Sequence, residues 1–125
     1  TCNNMTYTDT KDQEIQWNVV ADPTNYSAAN KYVCFIGGDQ PYSKIENPNI
    51  TDGSSCVVIK ESYGNAFVPF LVNSYQTVHI VDYRYFKGNL VSLVRQNQIK
   101  DVIYINNANA MIQSAVGNMN RILTQ

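Results

Sequence analysis

Three short runs rich in β-branched residues set the terms for this chain: Cys56-Val57-Val58-Ile59-Lys60, Thr77-Val78-His79-Ile80-Val81 and Val102-Ile103-Tyr104-Ile105. Each is too short for a helix and stops at a polar cluster, the pattern of a buried strand. Tyr32-Val33-Cys34-Phe35-Ile36 reads as a further strand ahead of them, and the alternation in residues 15–20 adds one more. The stretches between and after the runs read as helices. Phe67, Phe70 and Leu71 recur at helical spacing in residues 64–72, where Pro69 limits the length. Leu90, Leu93 and Val94 share a face in residues 89–98. Met111, Ile112, Ala115, Val116, Met119, Ile122 and Leu123 do so in residues 109–123. Residues 42–55, rich in Asn, Pro, Gly and Ser, read as the main loop. Strands separated by helices of this length form βαβ units, which require a parallel sheet and right-handed crossovers. The expected fold is therefore α/β, a mostly parallel sheet with flanking helices in a flavodoxin-like three-layer sandwich. Residues 1–125 are expected to form one domain or a fragment of one, with residues 1–30 an irregular extension.

Composition narrows the function classes. Nine Lys+Arg against ten Asp+Glu leave a net charge of −1. No basic field would attract phosphate backbones, and a nucleic-acid partner is not expected. The longest strictly apolar stretch, residues 66–72, is far short of the roughly 20 residues of a membrane span. A single histidine excludes a His-rich metal site, and there is no phosphate loop, G-x-G-x-x-G or metal-ligand spacing. Neither a metal nor another cofactor is expected. Cys2, Cys34 and Cys56 show no C-x-x-C spacing, and the last two lie in apolar runs, where free Cys acts as a small hydrophobe. A Cys34–Cys56 disulfide would require their strands to be neighbours. The sequons at Asn4, Asn25 and Asn49 are about as many as this Asn-rich composition yields by chance. The chain opens without an initiator Met, a basic n-region or an apolar h-region, and reads as a processed product or, preferably, a piece of a longer protein.

In an open parallel sheet, functional groups gather beyond the carboxyl ends of the strands. Those ends carry Gly37-Gly38-Asp39, Glu61-Ser62-Tyr63-Gly64-Asn65, Asp82-Tyr83-Arg84-Tyr85 and Asn106-Asn107. Ser62 follows a buried strand and precedes a helix, a strand–turn–helix setting that can expose a hydroxyl beside helix N-terminal N–H groups. It reads either as an N-cap or as a nucleophile, and a nucleophile would need a base. His79 lies mid-strand and faces the core rather than the edge, so no Ser-His-Asp set is evident. Asp82 reads as a turn cap, with Arg84 pairing with it or with Glu61. Tyr83, Tyr85 and Phe86 read as packing or as a sugar-stacking platform. Gly37-Gly38 suits a tight turn with φ > 0 or an oxyanion hole.

The segments Tyr32-Val33-Cys34-Phe35-Ile36-Gly37-Gly38-Asp39-Gln40-Pro41, Val58-Ile59-Lys60-Glu61-Ser62-Tyr63-Gly64-Asn65, Phe67-Val68-Pro69-Phe70-Leu71, Asp82-Tyr83-Arg84-Tyr85-Phe86 and Asp101-Val102-Ile103-Tyr104-Ile105-Asn106-Asn107 resemble, in order, the bacterial DHHW family. That family is related to SGNH hydrolases and the alginate O-acetyltransferase group. The resemblance implies an SGNH-hydrolase-like domain of an exported or cell-surface protein. Its implied chemistry is serine-dependent O-acyl (acetyl) ester hydrolysis or transfer on envelope polysaccharide. The family's Lys-Asp-Ser-Tyr element falls on Lys60-Glu61-Ser62-Tyr63, which makes Ser62 the implied nucleophile. Gly37, Gly38, Asp39, Gly64, Asn65, Asp82, Arg84 and Asn106 become the implied oxyanion and pocket residues. Two departures stand out. No Asp-His-His-Trp element is present, the only tryptophan being Trp17. Gly37-Gly38-Asp39-Gln40 replaces the family's Gly-Gly-Asn-His, putting a carboxylate where an Asn oxyanion donor would be. The chain then reads as a C-terminal part lacking its base, weak or inactive alone. The competing reading is a non-catalytic glycan- or protein-binding module.

Overall fold

The computed structural model describes residues 5–9, 11–108 and 112–125. Its six strands are β1 (Met5–Thr8), β2 (Glu14–Trp17), β3 (Tyr42–Glu46), β4 (Ser55–Lys60), β5 (Thr77–Asp82) and β6 (Asp101–Ile105). They form one sheet in the order β2-β1-β3-β5-β4-β6. Every residue of β4 is buried, because the strand has neighbours on both sides and a core on both faces. On one face Cys56, Val58, Val78 and Ile80 meet Met5, Ile45, Val68 and Val72. On the other, Val57, Ile59 and Val81 meet Leu90, Ile99 and Ile122. Each fully buried Val or Ile contributes roughly 1.5–3 kcal/mol, so this double burial fixes the register of the central strands.

Two α-helices cover the second face. Helix α1 (Leu90–Gln96) starts where the Asn89 side chain accepts the Ser92 N–H at 2.7 Å. Helix α2 (Gln113–Thr124) buries Ile122, and its Arg121 donates to the carbonyls of Phe86 and Tyr83 at 2.7 and 3.0 Å. The helix is thereby tied to the turn after β5. No described helix is long and apolar enough to cross a membrane.

The sheet is mixed, and the expected mostly parallel, flavodoxin-like sandwich is not what forms. β1–β2, β1–β3 and β3–β5 are antiparallel; only β4–β5 and β4–β6 are parallel. The error starts at residues 32–36. Residues 32–34 end a 3-10 run, Ala28–Cys34, and Phe35 makes only an isolated bridge to Val20. Ile36, Gly37 and Gly38 follow with φ of +48°, +70° and +80°, which turns the chain away from any extended path. The true strand lies inside the polar stretch. Tyr-Ser-Lys-Ile-Glu alternates, with Ser43 and Ile45 inward, as a half-exposed antiparallel strand should.

Residues 64–72 are not an α-helix either. They contain 3-10 turns at Ser62–Gly64 and Val68–Leu71, and bury Val68 and Val72 while Phe70 stays 79% exposed. In α2, Val116 and Leu123 are exposed rather than part of the buried face, and residues 109–111 of the expected helix lie outside the described residues. Cys34 and Cys56 are buried free thiols, whereas Cys2 and Asn4 lie outside the described residues.

Candidate functional site

Parallel pairing sets Lys60, the last residue of β4, beside Asp82, the last of β5. Lys60 continues the side-chain parity of Cys56 and Val58, so it points into a buried face. A cation there requires a carboxylate partner. Asp82 supplies it at 3.1 Å, with both side chains sealed from solvent, and Asp39 approaches at 3.5 Å. Arg84 completes the cluster. Its Nε and Nη2 clamp the two oxygens of Asp82 at 2.9 and 2.7 Å, and Nη2 also reaches Asp39 at 2.9 Å. The Asn65 amide donates to Asp39 at 2.9 Å.

These contacts set the charges. Burial pushes the Asp39 carboxyl up, but the Asn65 hydrogen bond and the Lys60 and Arg84 cations outweigh it and hold the group below the usual carboxylate range. The Asp82 hydrogen bond raises the Arg84 guanidinium, against the opposing effect of burial. Asp39 is thus a neutralised member of the cluster rather than a bare anion.

Two glycines permit the close packing. A Cβ on Gly64 would lie 2.5 Å from Lys60 Cβ, and one on Gly37 would lie 3.2 Å from Trp17 Nε1. The Gly38 N–H donates to the Phe35 carbonyl at 2.9 Å, so it is already engaged.

Ser62 opens the 3-10 turn directly after β4. Glu61, not Ser62, occupies the cap position. The Ser62 hydroxyl donates to Glu61 Oε2 at 3.1 Å, and the Ser62 carbonyl accepts from Tyr32 OH at 2.8 Å. Glu61 is buried and also accepts from the Asn107 backbone N–H at 3.2 Å and from Asn107 Nδ2 at 3.3 Å. This links the turn to the end of β6. A cleft of about 210 Å³ lies alongside, bordered by Glu61, Tyr83, Arg84 and Asn107. A larger cleft of about 610 Å³ lies beyond Arg84, with Tyr42, Tyr85, Phe86 and Arg121 in its walls. Arg84 and Asn118 border both. Ser62 itself lines neither.

The edge therefore gathers Asp39, Gly64, Asn65, Asp82 and Arg84, with Ser62 beside them. It does so although Asp39 does not follow a strand. Asp39 precedes β3, whose antiparallel course puts Tyr42 opposite Val81, so the start of β3 reaches the edge where β4 and β5 end. Asn106 comes to the same edge at the end of β6, but its side-chain N and O are buried without a hydrogen-bond partner. His79 is not brought in. It is buried in mid-β5 with Nδ1 2.8 Å from Tyr42 OH. Burial, with help from Lys44 and against Glu46, lowers its pKa to about 4. Tyr83 is buried and Phe86 packs against the second core, whereas Tyr85 is 46% exposed with Arg84 5.1 Å over its ring.

Neither Lys60 nor Glu61 is among the pocket residues the sequence points to, because a charged pair closing an apolar run reads as solvent-facing. The parity of Lys60 was the available signal.

The sequence profile of the DHHW family, described as "DHHW protein", matches residues 1–81. This chain belongs to the DHHW family. It is similar to a DHHW family protein from Eubacterium siraeum solved at 1.49 Å, with 30% identity and a TM-score of 0.82. That likeness covers 98% of this chain and 41% of the other. Bacillus cereus PatB1 is similar in fold in two structures. One, solved with a sulfonyl adduct, has 24% identity and a TM-score of 0.71; the other has 22% and 0.74. Each PatB1 likeness covers 88% of this chain and 37% of PatB1. The DHHW chain thus spans about two-fifths of the length of the solved proteins it matches. No curated protein matches it.

Proposed function

We propose that this DHHW chain carries the nucleophile of a serine-dependent O-acyl (acetyl) ester hydrolase or transferase of the SGNH type. Its substrate would be envelope polysaccharide, in an exported or cell-surface bacterial protein. The observation that carries the reading is Ser62 two residues past the end of a fully buried strand, its hydroxyl held by a buried carboxylate where β4, β5 and β6 end together. The PatB1 structure with a sulfonyl adduct supports it, since activated nucleophiles take up such groups. Ser62 Oγ would attack the acyl carbonyl, pass its proton to a base and release the alcohol. Asp82 and Arg84 would hold the wall of the site. His79 lies three residues back along β5, about 10 Å from the strand's end, and is engaged by Tyr42. On this reading an Asp and a His outside this chain supply the base, and the chain alone should turn over weakly.

The test is acetyl-ester turnover by this chain, by an N-terminally extended protein carrying an Asp-His-His-Trp element, and by Ser62→Ala in both. Turnover should rise on extension and vanish with Ser62→Ala. Turnover that survives Ser62→Ala overturns the assignment.

One observation favours a second reading, a non-catalytic glycan- or protein-binding module. The 610 Å³ cleft borders exposed Tyr85 and excludes Ser62. That reading expects glycan binding which survives Ser62→Ala and falls with Tyr85→Ala.

A further inference from the structure

We infer that Glu61 is the positioning residue for Ser62, an inference that rests on the serine reading above. Glu61 is only 5% exposed, and a buried carboxylate has to be met by donors. The donors it meets are the Ser62 hydroxyl at 3.1 Å and two N–H groups of Asn107 at 3.2 and 3.3 Å. Ser62 has three staggered rotamers, and accepting its O–H at Glu61 Oε2 selects one of them. With the proton directed at Glu61, the lone pairs of Oγ are directed elsewhere. Asn107 follows the end of β6, so the same carboxylate ties the orientation of Ser62 to two parallel strands instead of one short turn. Glu61 also borders the 210 Å³ cleft, which places this anchor between Ser62 and the space a substrate would enter.

The charge matters as well as the shape. Ionised Glu61 only accepts, and it serves Ser62 and both Asn107 donors together. An amide in its place puts N–H at one of the two positions, where it opposes the Asn107 backbone N–H at Oε1 or both the Ser62 hydroxyl and Asn107 Nδ2 at Oε2.

The test is modification by phenylmethylsulfonyl fluoride at neutral pH, followed by intact-mass and peptide mass spectrometry. The proteins are the N-terminally extended protein carrying an Asp-His-His-Trp element and its Ser62→Ala, Glu61→Gln, Glu61→Asp and Asn107→Ala variants, each checked for folding by circular dichroism. The expected result is an adduct on Ser62 that is absent in Ser62→Ala. Glu61→Gln should slow it about tenfold or more, while Glu61→Asp, which returns the carboxylate, should recover part of the rate. Asn107→Ala leaves the carboxylate in place and should slow the reaction by a smaller factor. It keeps the inference testable if Glu61→Gln does not fold. A Ser62 adduct formed at the same rate in Glu61→Gln, or at the same rate in Asn107→Ala where Glu61→Gln does not fold, overturns the inference and leaves the serine reading standing. An adduct that persists in Ser62→Ala, or none at Ser62 in the extended protein, overturns the serine reading and the inference with it.

Discussion

Lys60 Nζ lies 3.1 Å from Asp82 Oδ2, the two residues sitting side by side at the ends of adjacent parallel strands with neither side chain reaching solvent. Removing Lys60 leaves the buried Asp82 with Arg84 as its cation and takes away the donor at Oδ2. Lys60→Met keeps most of the side chain's apolar stem and removes the charge. It should lower unfolding stability by about 1–3 kcal/mol, read from the midpoint of a urea titration.

Gly64 supports the same lysine from outside. The Cβ of Gly64→Ala would meet Lys60 Cβ, which is close to the backbone and cannot swing away. A loss of about 1–3 kcal/mol is expected. Gly117 provides the contrast, because a Cβ there meets nothing within 4 Å inside α2. Gly117→Ala should stabilise by about 0.5–1 kcal/mol. Thermal melts of the two variants should move in opposite directions.

His79 gives the stability a pH dependence. Its folded pKa, about 4, lies below the unfolded value of 6.5, so the unfolded chain takes up the proton first as pH falls. The contribution is complete above pH 6.5 and is lost between 6.5 and about 4, amounting to about 3 kcal/mol. His79→Gln should flatten urea-derived stability across that window. Asp39 acts lower, since its carboxyl is held below the ordinary range, and its share is lost only as pH falls through that lowered value.

Cys34 and Cys56 should be silent toward alkylation. Both are buried, and burial, aided by Asp101, pushes the Cys56 thiol up to about 12, which suppresses the thiolate that reacts. Iodoacetamide should leave both unmodified in the folded chain and label both in urea, as read by peptide mass spectrometry.

The central strands were legible because β4, β5 and β6 are continuous apolar runs, a signal that survives any arrangement of the rest. β3 was not. Half-exposed, with Lys44 and Glu46 on the open side, it has the composition of a loop and shows itself only through Ser43 and Ile45. That one strand decides the sheet, because its antiparallel pairing with β5 brings β1 and β2 in behind it. Tyr32-Val33-Cys34-Phe35-Ile36 misled for the opposite reason. It is apolar, yet Tyr32 turns outward to hold the Ser62 turn. Asn65, Asp82 and Arg84 were legible together because they follow the buried runs of β4 and β5, whose parallel pairing ends both at one edge. Asp39 joins them only because β3 runs antiparallel and starts there. Lys60 was hidden by its position, one residue before the cluster that drew attention.

The end of the sheet at β6 has a consequence for how this chain behaves in company. Val102 and Tyr104 are 58% and 52% exposed, and β4 is the only described strand that pairs with β6. Among the described residues no strand pairs with its far side, and an edge of that kind takes an added strand from any extended segment that reaches it, a second copy of this chain included.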